Sequence, residues 1–266
     1  MLRLVAKRVL TAIAPKMSSS LFAARARAHS QRYLAGQGVH ALNRKLAERL
    51  GMAVLAGPFA GMTLTPSVLE ENLGPFLLGT YESVLHPWID RAIAARPTTV
   101  VDVGSKFGYY AVGMALRVPG ARVIAFDTDP WARRATAELA EANRCKVEVR
   151  GHCSRDVLEE LAGPGTFIIS DCEGYEDILF GGPASPRLAG ATLLIESHDS
   201  LAPGVEERIT QAFSGSHEVE PTADDGTPPP PPVDLSWLEP DGAARAVNEF
   251  RTVQRWLFLT PRPSPA

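Results

Sequence analysis

The chain has few cysteines, and their spacing does not suggest zinc binding. Cys145, Cys153 and Cys172 are the three cysteines among 266 residues. A disulfide framework is not expected, because such frameworks use an even number of cysteines in short secreted chains. The cysteine content therefore favours a reducing compartment, and we predict a cytoplasmic protein without a zinc site.

A strong net charge and long hydrophobic runs are also missing. The formal net charge is -3, which gives no general attraction to nucleic acid. The apolar run at the start is interrupted by Lys7 and Arg8 and is far shorter than a bilayer requires. With 45% hydrophobic and 21% charged residues, the composition is that of an ordinary globular protein. We expect no nucleic-acid partner.

Charge is nevertheless concentrated at one end of the sequence. Residues 1–50 carry ten Lys or Arg and one acid, Glu48. Apolar residues recur there at helical spacing: Leu4, Val5, Val9, Leu10 and Ile13. This basic helical extension has three interpretations: a helix packed on the main domain, a segment that docks on a membrane surface or a partner protein, or a cleaved targeting peptide.

The stretch 98–130 predicts a β-α-β unit. A β-branched run ends at Asp102, a turn passes through Gly104 and Gly108, a helical stretch follows, and a second strand ends at Asp127. Glycine lets the backbone approach a ligand closely, and an acid about 20 residues further on can accept hydrogen bonds from ribose. The unit therefore predicts a nucleoside site. Because this unit and those after it supply the site, we expect residues 1–50 to be dispensable for ligand binding.

The glycine spacing argues against a dinucleotide. A dinucleotide fingerprint is G-x-G-x-x-G, whereas Ser105, Lys106 and Phe107 separate the two glycines here. Asp102 would repel a pyrophosphate but suits the cationic end of an amino acid. An NAD-dependent oxidoreductase is therefore disfavoured.

Three sequence blocks share a pattern with a known enzyme family. They are D-x-G-x-x-x-G-Y-Y with A-F-D-x-D-P in the central unit, I-I-S-D-C-E-G-Y-E at 168–176, and L-L-I-E-S-H-D at 193–199. Over roughly residues 76–200 the chain resembles the FkbM-type methyltransferases of the Rossmann-like class I. The resemblance implies an α/β fold whose seven-stranded, mostly parallel sheet ends in a C-terminal antiparallel pair. It also implies S-adenosylmethionine as cofactor.

The resemblance points to cofactor-binding residues around the glycine turn and the strand ends. These are Asp102, Gly104, Ser105, Lys106, Gly108, Tyr109, Asp127 and Asp171. Asp129 followed by Pro130 predicts a helix start with Asp129 as the N-cap, which leaves Asp127 as the ribose ligand. Lys106 departs from the family pattern, where a neutral polar residue is usual, and we expect its ammonium to contact the cofactor carboxylate.

Acidic residues and a histidine follow two further predicted strands. Asp171 and Glu173 follow the strand at 166–170, and Glu196 and His198 lie at the end of the strand at 191–195. Ligands of open α/β sheets bind beyond the carboxyl ends of the strands. We predict His198 as a base active near neutral pH, with Asp171, Glu173 and Glu196 orienting it or stabilising charge.

Purely structural roles are the alternative for residues at these strand ends. Glu176 and Asp177 fit a solvated helix, Asp199 fits a helix cap, and His198 fits a structural link between the fifth strand and its loop.

The implied reaction is O-methylation of a hydroxyl on a small molecule, natural product or sugar. A sulfonium methyl is already activated, so the protein has to hold the nucleophile in line and provide a base for a hydroxyl. Two alternatives stay open. One is a Mg²⁺-dependent methyltransferase that uses Asp171 with Glu196 or His198 as ligands. The other is a binding protein on an inactive methyltransferase fold.

We expect three parts along the chain: the basic helical extension at 1–50, a hairpin-like flap at 51–75, and a methyltransferase domain at 76–266. Within the domain, a Pro-rich insertion at 222–240 contains five consecutive prolines that favour polyproline II. Pro87 is expected to end or kink a helix capped by Thr80.

Overall fold

The computed structural model describes residues 15–263, with side chains from Ala24 onward. The apolar residues from Leu4 to Ile13, on which the amphipathic prediction rests, lie outside the described residues. None of the described helices is both long enough and apolar enough to cross a membrane.

One seven-stranded sheet forms the centre of the molecule, in the order β3-β2-β1-β4-β5-β7-β6. Strands β1 to β5 are parallel, whereas β7 runs antiparallel to both β5 and β6. The predicted fold class, including its C-terminal antiparallel pair, is confirmed. The strands are β1 (Thr99–Val103), β2 (Arg122–Phe126), β3 (Glu148–Arg150), β4 (Thr166–Ser170), β5 (Thr192–Glu196), β6 (His217–Asp224) and β7 (Gln254–Pro261).

Helices cover both faces of the sheet, as the crossover connections of parallel strands require. The described α-helices are α1 (Pro15–Gly36), α2 (Val39–Leu50), α3 (Leu73–Leu78), α4 (His86–Ala94), α5 (Tyr109–Arg117), α6 (Pro130–Ala142), α7 (Arg155–Leu161), α8 (Glu176–Phe180), α9 (Val205–Phe213) and α10 (Gly242–Val247). Short 3-10 turns occupy Pro66–Glu70, Ser83–Leu85 and Leu188–Gly190.

The central strands are buried on both faces, so their sequences are nearly continuous apolar runs. On one face, Val100 and Ile169 pack with residues of α5, the flap and α2. On the other, Val101 and Ile168 pack with α8 and α9. Asp102 lies in register with Ile169 on neighbouring strands, so its carboxyl group belongs to the first of these faces.

The flap at 51–75 pairs with itself over a short stretch, where the Val54 N–H donates to the Met62 carbonyl at 2.9 Å and the Leu64 N–H donates to the Met52 carbonyl at 2.6 Å. A single antiparallel bridge joins Ala53 to Thr63, and the Leu55 N–H donates to the Leu77 carbonyl at 2.8 Å. The segment therefore pairs with α3 as well as with itself. A Cβ at Gly79 would lie 2.0 Å from the Ala56 carbonyl oxygen, which shows how closely the two backbones approach.

Three other local predictions need correction. Pro87 lies in the first turn of α4, which begins at His86, because a helix tolerates proline where its N–H would lack a partner anyway. Thr80 is not an N-cap, since the 3-10 turn that follows begins at Ser83 and has Glu82 at its N-cap position. The Pro-rich insertion also begins later than predicted, because β6 extends to Asp224.

Candidate active site

The turn after β1 packs directly on the end of β4. Gly104 has a φ of +90°, and a Cβ there would lie 1.6 Å from the Asp171 carbonyl oxygen. Its N–H donates to the Phe126 carbonyl at 2.9 Å. A side chain at this position would force the strand ends apart, so glycine holds the ends of β1, β2 and β4 around one opening.

The carboxylate of Asp127 is fixed by two backbone donors. Its Oδ1 accepts from the Asp129 N–H at 2.7 Å, and its Oδ2 accepts from the Lys106 N–H at 2.9 Å. Burial raises the pKa of Asp127 to about 6 despite these hydrogen bonds. A carboxylate offers about four lone-pair sites, so each oxygen retains acceptor capacity for a ligand hydroxyl.

Asp129 is the N-cap of α6, as predicted. Its Oδ1 accepts from the Trp131 N–H at 2.9 Å, and Pro130 is the first helical residue. Its Oδ2 is paired with Arg27 of α1 at 2.8 Å.

Asp102 is buried below the glycine turn. Its Oδ2 accepts from the Ala111 N–H in the first turn of α5 at 3.0 Å. Burial, with smaller repulsion from Asp127 and Asp171, raises the pKa of Asp102 to about 8. A cation placed beside this carboxyl would favour its ionised form.

Lys106 has a partner within the protein. Its Nζ lies 3.4 Å from Oε2 of Glu71, whose side chain is 2% exposed, while that of Lys106 is 49% exposed. The ammonium also lies 5.8 Å from the centre of the Phe76 ring. Nothing in the sequence indicated Glu71, because the pair joins two segments that lie far apart in the chain.

Four side chains form an acid-imidazole cluster at the ends of β4 and β5: Asp171, Glu173, Glu196 and His198. The Nε2 of His198 lies 3.6 Å from Asp171, 3.7 Å from Glu196 and 3.8 Å from Glu173. The sequence therefore predicted the members of this cluster correctly as neighbours.

Glu176 anchors the imidazole from the other side. Its Oε1 lies 2.9 Å from Nδ1 of His198 and accepts from the Cys172 N–H, also at 2.9 Å. Its side chain is fully buried, which corrects the interpretation of Glu176 as a helix-solvating residue. Burial alone would lower the pKa of His198, but Glu176, Asp171 and Glu173 raise it to about 9. The raised pKa favours the imidazolium form, whereas the sequence analysis predicted a base active near neutral pH.

Two buried carboxyl oxygens of the cluster, Oδ1 of Asp171 and Oε1 of Glu196, accept no hydrogen bond from an N–H or hydroxyl group of the described residues. Both face Nε2 of His198, at 3.6 and 3.7 Å. Burial raises the pKa of both groups, that of Asp171 to about 7; Asp171 raises the pKa of Glu196 further, whereas a hydrogen bond from Glu196 lowers the pKa of Asp171. Two buried carboxyl groups beside an imidazole form a polar corner that is suited to a polar ligand.

One cleft extends from the glycine turn to Asp171, the member of the acid-imidazole cluster that lines it. The empty volume of the cleft, including the part that is open to solvent, is about 400 Å³. Aromatic rings dominate its walls, and the lining residues are Phe76, Tyr81, Asp102, Gly104, Ser105, Lys106, Phe107, Tyr109, Tyr110, Ile169, Asp171 and Trp256. Ser105 Oγ and Trp256 Nε1 are buried polar atoms that have no hydrogen-bond partner in the part of the chain that the structure describes. Trp256 lies opposite Glu196 across β5 and β7.

A second charged network borders the cleft, and sequence reasoning missed it. Arg251 pairs with Glu82 at 2.7 Å and with Asp224 and Glu249 at 2.9 Å each. The Tyr110 hydroxyl donates to the buried Glu82 carboxylate. These residues come from four distant segments, so no local pattern joins them. The network fixes the loop before β7 against α5.

The carboxylate of Asp199 contacts the start of α9 and makes its hydrogen bonds there. Its carboxylate accepts from the Gly204 N–H at 2.8 Å and from the Glu206 N–H at 3.4 Å. It therefore caps the start of α9, the structural role considered for it.

Three members of the acid-imidazole cluster could also hold a metal ion. Asp171, Glu196 and His198 each offer one ligand atom, and these atoms lie within 4.8 Å of one another. The Nδ1 contact with Glu176 would leave Nε2 as the ligating nitrogen, the arrangement commonly seen around metal-bound histidine.

Comparison with known proteins gives structural similarity only. No protein-family profile matches the chain, and no curated protein matches it. An O-methyltransferase from Bacillus cereus in complex with S-adenosylhomocysteine (SAH) has 13% identity and a TM-score of 0.48. The match covers 84% of this chain and 99% of that chain. An rRNA methylase from Streptococcus thermophilus has 16% identity and a TM-score of 0.46. The match covers 67% of this chain and 96% of that chain.

A third solved structure is precorrin-6y C5,15-methyltransferase from Geobacter metallireducens, with 13% identity and a TM-score of 0.45, covering 66% of this chain and 89% of that chain. At these identities and TM-scores the similarity assigns neither an acceptor nor a reaction to this chain.

Proposed function

We propose that this chain is an S-adenosylmethionine-dependent methyltransferase that methylates a hydroxyl group on a small molecule. The observation that carries the proposal is a cleft lined by the glycine turn and by Asp171 of the acid-imidazole cluster, with the carboxylate of Asp127 hydrogen-bonded to the backbone of the lining residue Lys106. The resemblance to FkbM-type sequences supports the same conclusion. The acceptor class, including a natural product or a sugar, follows from that resemblance.

The residues around the glycine turn fit the parts of this cofactor. Asp127 has acceptor capacity left for ribose hydroxyls, and the buried carboxyl of Asp102 suits a cationic amino-acid end. Ser105 Oγ has no hydrogen-bond partner among the described residues, so a cofactor carboxylate would satisfy it. Lys106 would contact that carboxylate only by sharing or leaving Glu71.

The acid-imidazole cluster can receive the acceptor hydroxyl. Bound S-adenosylmethionine supplies a methyl group that is already activated by the sulfonium charge, so the protein has to align the hydroxyl and accept its proton. We assign the proton to Asp171, whose pKa is raised to about 7, because the more strongly raised pKa of Glu196 keeps that carboxyl group protonated. Because His198 is held as an imidazolium by Glu176, we assign it the role of stabilising the charge of this carboxyl pair.

A Mg²⁺-dependent variant of the same reaction is the second candidate. It is favoured by the proximity of ligand atoms on Asp171, Glu196 and His198. In that case the cation would bind the acceptor oxygen and lower the pKa of its hydroxyl. The two candidates share the cofactor and the acceptor position, and they differ in whether activity survives removal of divalent cations.

The function is tested by calorimetric titration of the full chain with S-adenosylmethionine, SAH and NAD⁺, each with and without Mg²⁺. We expect binding of the first two ligands and no binding of NAD⁺. Binding of NAD⁺ alone would contradict the proposal. Binding of SAH without transfer to any hydroxyl acceptor in a broad panel would favour the inactive binding protein.

A further inference from the structure

The basic extension reaches the candidate ribose site through one residue of α1. Arg27 donates from Nε to Oδ2 of Asp129 at 2.8 Å, and its guanidinium stacks on the Trp131 ring at 4.8 Å. The Asp129 N–H in turn donates to Oδ1 of Asp127 at 2.7 Å. The side chain of Asp129 is only 7% exposed, so the ion pair is largely shielded from solvent.

A second chain of contacts starts one helical turn later. Gln31 donates from Nε2 to Oε1 of Glu71 at 3.2 Å, and Glu71 pairs with Nζ of Lys106 at 3.4 Å. The Lys106 N–H then donates to Oδ2 of Asp127 at 2.9 Å. Lys106 has a φ of +49°, an uncommon conformation for a residue with a side chain, so its backbone position depends on such contacts.

The two series of contacts end at the same carboxylate, that of Asp127, one at each oxygen. The backbone N–H groups of Asp129 and Lys106 orient Asp127. Helix α1 contacts Asp129 directly through Arg27, and it reaches Lys106 through Gln31 and the buried Glu71. Arg27 and Gln31 are four residues apart and therefore lie on one face of the helix, and Arg27 also donates to Oε1 of Gln31 at 3.4 Å.

We infer that α1 is a positioning element of the cofactor site, in which Arg27 and Gln31 set the orientation of the Asp127 carboxylate. This inference rests on the proposed function, because it assigns Asp127 to the ribose. It reverses the expectation that residues 1–50 are dispensable for ligand binding. The buried acids explain why the contacts matter: Asp129 and Glu71 lose a compensating partner when α1 is changed.

The experiment is calorimetric titration of SAH into the full chain carrying Arg27→Met and Gln31→Leu. These changes remove both polar heads and retain most of each apolar stem. We expect Kd to rise about tenfold, the scale of one or two weakened hydrogen bonds. Arg32→Met is the matched control: Arg32 lies on the same helix, is exposed and donates to the Ala28 carbonyl. The control should bind SAH as the unchanged chain does.

A second ligand separates positioning from general damage. The 2′,3′-dideoxy analogue of SAH has no ribose hydroxyls for Asp127, so the double variant and the unchanged chain should bind it within about twofold of each other. Unchanged SAH affinity in the double variant, or an equal loss for both ligands, would overturn the inference. An unchanged chain that binds neither SAH nor S-adenosylmethionine would overturn the proposed function instead.

Thermal melting verifies that each variant is folded. If the double variant fails to fold, Arg27→Lys replaces it, because lysine keeps a cation beside Asp129 but loses the forked guanidinium. The same pattern of a loss for SAH and none for the dideoxy analogue is then expected, with a smaller amplitude. Absence of that pattern in Arg27→Lys would likewise overturn the inference.

Discussion

Nδ1 of His198 lies 2.9 Å from Oε1 of Glu176, a carboxylate whose side chain is completely buried. The contact orients the ring so that Nε2 faces Asp171 and Glu196. It also means that the histidine does not act alone, because its charge depends on a residue outside the cleft lining.

Replacing this carboxylate should change the charge of the imidazole. Glu176→Gln removes a negative charge next to Nδ1, so the pKa of His198 should fall from about 9. The measurement is an NMR titration of the His198 ring in the presence of EDTA. Asp177→Asn is the control, because Asp177 follows Glu176 in α8 but pairs with Arg208 at 2.8 Å. A His198 pKa that stays near 9 in Glu176→Gln would show that other groups hold the proton.

Cofactor binding should depend on pH through Asp102. The pKa of this buried carboxyl is raised to about 8 in the free protein, and a cationic ligand favours the ionised form. Below that pH, binding must therefore release a proton, so affinity for S-adenosylmethionine should rise with pH and level off above about 8.

The Asp102→Asn variant isolates this effect. Calorimetry across pH 6 to 9 should show weaker binding at the upper end and a flatter pH profile than that of the unchanged chain. Identical slopes in the two proteins would exclude Asp102 as the titrating group.

Trp256 should contribute to acceptor binding. Its Nε1–H is buried without a partner in the cleft wall, and Trp256 lies opposite Glu196 in the sheet. Trp256→Phe keeps an aromatic ring and removes the donor, so KM for the acceptor should rise by about three- to tenfold, the scale of one hydrogen bond. The Kd for SAH serves as the internal control and should stay unchanged. A rise in the Kd for SAH with no change in acceptor KM would place Trp256 at the cofactor instead.

Removal of divalent cations distinguishes the two forms of the proposed reaction. If the carboxyl pair accepts the proton directly, EDTA should leave the turnover number unchanged. Loss of activity with EDTA and recovery on addition of Mg²⁺ would instead support a cation held by Asp171, Glu196 and His198. Glu173→Gln is the control, because Glu173 belongs to the cluster but is 80% exposed and is not one of the three candidate ligands. Its response to EDTA should match that of the unchanged chain.

The sheet could be predicted from sequence because its signals are local. The runs that became β1, β2, β4 and β5 are apolar and end at a glycine or an acid, and buried parallel strands have this pattern. The same local logic identified Asp129 as a helix cap, since the cap and the proline after it are adjacent in the chain. The acidic residues at the strand ends could be predicted as neighbours because parallel strands share one edge.

The partners of the site residues could not be predicted in this way. Glu71 pairs with Lys106, and Glu82 pairs with Arg251, and each pair is joined only by the tertiary fold. Glu176 was mistaken for a surface residue because its sequence position, at the start of a short helix, is typical of solvated acids. Its burial depends on His198, which lies 22 residues further along the chain.

The flap shows a further limit of local patterns. Its apolar residues around Gly57 and Pro58 predict two short strands, and an antiparallel pairing forms at Ala53 and Thr63. The hydrogen bond from the Leu55 N–H to the Leu77 carbonyl could not be predicted, because it joins the flap to a helix that follows it in the chain.

The central claim is that this cleft binds S-adenosylmethionine with Asp127 on the ribose. The most direct measurement is calorimetric titration of SAH into the unchanged chain and into Asp127→Ala, with Asp199→Ala as a control for removing an acid near the same sheet edge. We expect Asp127→Ala to weaken binding by about 1.5 to 3 kcal/mol, the worth of hydrogen bonds to a charged group, while Asp199→Ala binds SAH normally. Equal affinity of the unchanged chain and Asp127→Ala would contradict the account.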